Sequence, residues 1–174
     1  MRLPSLPLTL LACAASIVQA AGPLRSGYAD MSPAVRALQD DDMQNPASLW
    51  VQDGEQRFAA DCARCHREDG AASMRGVAAR YPAWDVVAGR PVTLAQRINL
   101  CRERHLQVPP LAPESDALVA LQTYVARQSR GQPVAPDPDP RLQPARQLGE
   151  QLFRLRVGQL GFSCAQCHDD NAGR

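Results

Sequence analysis

Apolar residues recur with a helical period along most of this chain, and no stretch alternates long enough to predict a strand. Leu94, Ile98 and Cys101 are spaced i, i+4, i+7 and share one face of a helix. Thr93 opens that helix, and Gln96 stands where a capping box needs it. Leu118, Leu121, Tyr124 and Val125 form the stripe of a second helix, capped by Ser115 and ended by Gly131 and Pro133. Leu49 to Ala63 predicts a third, running into Cys62, and Ser32-Pro33 starts a short helix from Ala34 to Gln39. Between Asp69 and Pro91, glycines, prolines and short apolar pieces predict loops with brief helices.

The ends are organised differently. Residues 1–20 read as a signal peptide: Arg2, the apolar run LPLTLLACAASIV, and Val18-Gln19-Ala20 as a small-residue cleavage site. The run is shorter than the ~20 residues of a spanning helix. Leu10 to Cys13 resembles a lipoprotein box, but the apolar run continues past Cys13, which favours cleavage over lipidation. Residues 21–48 form a lead-in whose Asp40-Asp41-Asp42 run is expected to be a cap or a solvated face. A first domain spans 49–130. The Pro-rich segment 131–145 reads as a stiff, extended linker. The final stretch, 146–174, repeats the start of the first domain: Gly54-Glu55-Gln56-x-Phe58 recurs as Gly149-Glu150-Gln151-x-Phe153, each ahead of a CAxCH.

Those two CxxCH units carry the chemistry. Two cysteines three apart lie on one side of a helical turn, with a histidine adjacent. This suits covalent attachment of haem c: Cys62 and Cys65, then Cys164 and Cys167, as thioethers, with His66 and His168 on the two irons. A shared zinc site would need the two pairs folded onto one centre, and they stand a domain apart. A thioredoxin-like redox pair would need a βαβ context. With Cys13 in the signal segment, Cys101 is the one mature cysteine outside these units. Met74, His105 and Cys101 are candidates for the second ligand of the first haem. A buried free cysteine acting as a small hydrophobe is the alternative for Cys101.

Composition changes the picture in one respect. All 19 basic residues are arginine and net charge is only +1, with no basic stripe, so a nucleic-acid partner is excluded from the reading. Arg102 and Arg104 are expected on a solvated face or at haem propionates. Secretion is expected to place the mature chain outside the cytoplasm, where free thiols are usually paired or occupied.

SGYADMSPAVRALQDDDMQNPASLWVQDGE, the first CxxCH, RINLCRERH and PPLAPESDALVALQTYVARQSRGQPV together closely resemble the SoxA family. These are dihaem cytochrome subunits of the periplasmic thiosulfate-oxidising Sox system. The resemblance implies a mainly α fold of tandem class I cytochrome c-like domains, the second incomplete in this chain. It implies two covalently attached haem c groups. It implies an L-cysteine S-thiosulfotransferase that acts with a SoxX-like monohaem subunit, joins thiosulfate to a cysteine of a SoxYZ-like carrier, and passes electrons to cytochrome c. In the family's INxCR motif the cysteine is an axial ligand, which assigns Cys101 to the first iron. The catalytic cysteine, distal to the second haem, is expected beyond Arg174. A dihaem electron-transfer cytochrome without transferase activity is the alternative function, and a monohaem scaffold a weaker third.

Overall fold

The computed structural model describes residues 26–67 and 69–171; residues 1–20, expected to be a signal peptide, and with them Cys13, lie outside the described residues. Helices dominate. After a 3-10 turn at Gly27–Asp30 come α1 (Pro33–Asp40), α2 (Ala47–Asp61), α3 (Ala63–His66) and α4 (Gly70–Met74). A hairpin of β1 (Ala83–Asp85) and β2 (Arg90–Val92) leads into α5 (Leu94–Cys101), which continues as a π-helical turn, Arg102–Leu106. Then follow α6 (Asp116–Arg127), α7 (Gln143–Arg154) and α8 (Cys164–His168).

The centre of the fold is α2 packed along α6. Close approach is possible because residue 54 is glycine: a Cβ there would stand 2.1 Å from the Ala120 carbonyl oxygen. The predicted stripe of α6 is fully inside, with Leu118, Leu121, Tyr124 and Val125 all buried. Leu121, Tyr124 and Val125 meet Phe58 from α2, Met74 from α4 and Leu94 from α5 in one aliphatic-rich core. Gly70 allows a second tight approach, since a Cβ would meet the Tyr124 hydroxyl at 2.6 Å and the Phe58 ring at 2.7 Å.

Capping follows the sequence in part. Ser32 accepts from the Val35 N–H, and Thr93 with Gln96 forms the reciprocal capping box at α5. Ser115 has the extended backbone of an N-cap, but its hydroxyl makes no cap bond and is buried without a partner. Asp116 supplies the negative charge that the first turn of α6 favours.

The β1–β2 hairpin departs from the strand-free expectation. Its strands are three residues each and contain Pro91, too short to show alternation. The linker is extended but not free. Ala135 donates its N–H to the Ala79 carbonyl (2.9 Å) and Asp137 to that of Arg80 (3.1 Å), so residues 135–137 lie along the first domain. Arg141 stacks over Trp84 with 5.1 Å to the ring centroid, and Leu142 is buried beside it. The aspartate run also has a specific role: Asp42 pairs with Arg127 and Arg130, tying the lead-in to α6.

Candidate haem site

The cysteine–histidine units sit where helices end. At Cys62 the α2 helix breaks, and α3 carries Ala63 to His66 as a single turn. Cys65 and His66 donate their backbone N–H groups to the Cys62 carbonyl, at 3.1 and 3.0 Å, which fixes both cysteines on one side of that turn. The His66 ring stands 6.2 Å from the Phe58 ring at 43°. Phe58 is buried, so the phenylalanine that closes the GEQxF repeat forms a wall beside the imidazole.

A cavity of about 570 Å³ opens in front of this turn. Cys62, Cys65 and His66 line it, as do Met74, Leu94, Ile98, Leu121 and Val125 from the core, and Cys101, Arg97, Arg102 and His105 from α5 and its extension. The structure therefore brings together all four residues predicted for the first site. Their order in sequence spans 62 to 101, and the cavity unites them because α5 packs on α6, as does α2, which runs into α3. Its size falls in the range that encloses a cofactor, and its lining is predominantly apolar with a few convergent polar groups.

The INxCR segment can now be read residue by residue. Ile98 packs on the core. Asn99 clamps the returning loop: its side-chain amide donates to the Leu111 carbonyl and its oxygen accepts from the Leu111 N–H, both at 2.9 Å. Cys101 is half-buried and faces the cavity. Arg102 reaches back to Asp61 at 2.5 Å, joining the end of α5 to the residue before Cys62. Arg104 makes a bidentate pair with Asp85, at 2.9 and 3.0 Å. Neither arginine belongs to a solvated face, which corrects the first half of the sequence expectation.

Electrostatics at the thiols is set by burial. Burial, and then the neighbouring Asp61 carboxylate, push the Cys62 thiol up to about 11. Burial also raises Cys101, against the pull of Arg97 and Arg104, which favour its anion. All five described cysteines are free. Among the described residues, no three His, Cys, Asp or Glu side chains converge closely enough to hold a bare metal ion. A larger group that takes thioethers at two thiols and a ligand from each side fits the donor set.

Of the rival second ligands, Met74 is 7% exposed and lies within the core. His105 is exposed at the end of the π turn, where its carbonyl accepts from Arg64 at 3.1 Å. Both line the cavity with Cys101.

The second unit is built on α8. Ser163 and Gln166 form a capping box there, so the variable residue of CAQCH secures the helix start. Phe153 faces His168 at 6.3 Å and 44°. Cys164, Cys167 and His168 are all exposed.

Sequence reasoning missed Asp85. It is a lone carboxylate in a Gly/Pro-interrupted stretch, and its partners are 12 and 19 residues further along. Asn99 was missed as well, though its place in INxCR was a usable signal.

A helical domain with a CxxCH turn facing an apolar cavity is the framework of a c-type cytochrome. Residues 46–134 match the family model described as SoxA/TsdA, cytochrome c domain. The chain is 36% identical over 157 residues to the L-cysteine S-thiosulfotransferase subunit SoxA of Pseudaminobacter salicylatoxidans, covering 86% of this chain and 54% of that protein. It is 32% identical over 155 residues to the subunit of the same name from Paracoccus pantotrophus, covering 85% and 53%. The crystal structure of SoxXA from P. pantotrophus superposes with a TM-score of 0.77 at 31% identity, covering 87% of this chain and 59% of that one. The chain belongs to the SoxA/TsdA cytochrome c family. It spans about half the length of the curated relatives it matches. A cytochrome c domain implies haem c, and the residues around the cavity fit it.

Proposed function

We propose that this chain is the haem-bearing portion of a periplasmic L-cysteine S-thiosulfotransferase subunit. The observation that carries the reading is the single apolar cavity that gathers Cys62, Cys65, His66 and Cys101. Cys62 and Cys65 would bond the first haem, and His66 and Cys101 would ligate its iron. The haem would supply a one-electron carrier; the protein supplies an apolar pocket and a sulfur ligand whose anion would favour the ferric state.

Cys164, Cys167 and His168 hold a second haem c in a second module. Two likenesses support this: the GEQxF repeat, and the matching placement of each motif's phenylalanine against its histidine. Gly149, the counterpart of Gly54, meets nothing within 4 Å among the described residues, and Leu148 and Leu152 beside it are exposed. A module completed like the first packs a helix there.

The partners follow from the relatives. A SoxX-like monohaem subunit pairs with this chain, since the superposed crystal structure is of SoxXA. The substrate is thiosulfate, delivered to a cysteine of a SoxYZ-like carrier. The thiol loses its proton, a sulfur–sulfur bond forms to thiosulfate, and the two electrons released reduce a cytochrome c acceptor, a transfer that bound haem would carry. The test is to mix the full subunit and its partner with carrier, thiosulfate and oxidised cytochrome c. Conjugation is expected as a carrier mass increase matched by acceptor reduction. Acceptor reduction by an electron donor, with no thiosulfate-dependent conjugation, would leave a dihaem electron-transfer cytochrome instead.

A further inference from the structure

Asp85 ends β1, and its side chain is 2% exposed. Four donors reach its two oxygens. Arg104 gives two bonds, at 2.9 and 3.0 Å; Arg97 Nη1 stands at 2.7 Å; and the Ala88 N–H donates at 2.5 Å. The two guanidiniums come from positions four residues before and three residues after Cys101, so they lie on neighbouring positions of its own helical face. Arg97 lines the cavity beside Cys101.

Charge counting separates this cluster from its neighbour. Arg102 is matched one to one by Asp61, on the α2 side. On the hairpin side, two arginines share one carboxylate, leaving a surplus of one positive charge next to Cys101. The arginine side chains are 30% and 27% exposed, so solvent screens them only in part. Glu103, the other nearby carboxylate, is exposed.

A simple staple of hairpin to helix needs only one of these arginines. Two of them, converging on one buried acid, fix the position of a net charge. We propose that Asp85 is a positioning residue that pins Arg97 and Arg104 beside Cys101, so that their surplus positive charge raises the reduction potential of the first haem. The physical reason is the sign of the charge. An iron–thiolate unit is one unit more negative when reduced, and a fixed cation nearby stabilises the reduced form more than the oxidised one. The cluster thereby offsets part of the lowering that an anionic sulfur ligand imposes. This inference rests on the reading of Cys101 as the axial ligand.

The experiment is a spectroscopic redox titration of the full chain in a Cys164→Ala/Cys167→Ala background, in which only the first unit carries haem. Covalent haem content is measured alongside. Arg97→Gln is expected to lower the midpoint potential while the thiolate spectrum stays, and Arg97→Lys to restore it. Arg104→Gln is expected to lower it in the same direction, which keeps the test valid if one variant folds poorly. An unmoved potential in both glutamine variants, with haem bound and the thiolate spectrum intact, overturns the electrostatic role alone. A parent chain without a thiolate spectrum overturns the ligand assignment and this inference with it.

Discussion

The Phe153 ring lies 6.3 Å from the His168 ring at 44°, nearly the geometry of Phe58 on His66 at 6.2 Å and 43°. Yet Phe153 precedes its histidine by 15 residues and Phe58 by 8. The seven extra residues, 155–161, are absorbed in a loop closed by the Val157–Phe162 bridge. Gly158 and Gly161 turn that loop at φ of 72° and 60°. The relationship between ring and imidazole is thus kept while the path between them is rebuilt.

The loop glycines are therefore expected to be sensitive. Gly158→Ala and Gly161→Ala should each cost about 1–2 kcal/mol, the penalty of a side chain in the left-handed region. Haem attachment at Cys164 and Cys167 should fall while attachment at Cys62 and Cys65 is unchanged, as read by peptide mass spectrometry.

The repeated glycines should behave oppositely. Gly54→Ala pushes a methyl group into the Ala120 carbonyl and is expected to destabilise the chain by about 1–3 kcal/mol or more, measured by denaturant unfolding. Gly149→Ala in this chain fills open space on a helix and is expected to stabilise it by about 0.5–1 kcal/mol.

Asp85 sets an acid limit. The Arg104 hydrogen bonds, then the Ala88 N–H, hold its carboxyl well below the ordinary value of 3.8. A carboxyl with a depressed folded-state pKa contributes stability above its unfolded value, lost as pH falls through the folded one. Asp85→Asn should therefore unfold at lower denaturant than the parent from pH 8 to 5. That gap should narrow below about pH 4, as the parent loses its own advantage.

Much of this arrangement was legible in the sequence, for reasons that are local. The α6 stripe is buried residue for residue, and the Thr93–Gln96 box forms, because periodicity and capping depend on neighbours three or four apart. The four residues that share the first cavity stood out because CxxCH and INxCR are short. The links that shape the cavity wall were not, since Asp85–Arg104 and Arg102–Asp61 join residues 19 and 41 apart. Ser115 shows the converse: the right residue at an N-cap, with its hydroxyl left unbonded. The docking of the linker through Ala135 and Asp137 also escaped, because proline content reports stiffness and not what an extended segment lies against.

The central claim is that Cys101 faces His66 across the first haem. The most direct measurement is low-temperature EPR of the ferric, haem-loaded chain beside its Cys101→Met variant, again with Cys164→Ala/Cys167→Ala to silence the second unit. The account predicts a low-spin signal with the narrow g-spread of thiolate ligation in the parent, replaced in the variant, with a higher midpoint potential. Identical spectra and potentials in the two proteins would contradict it.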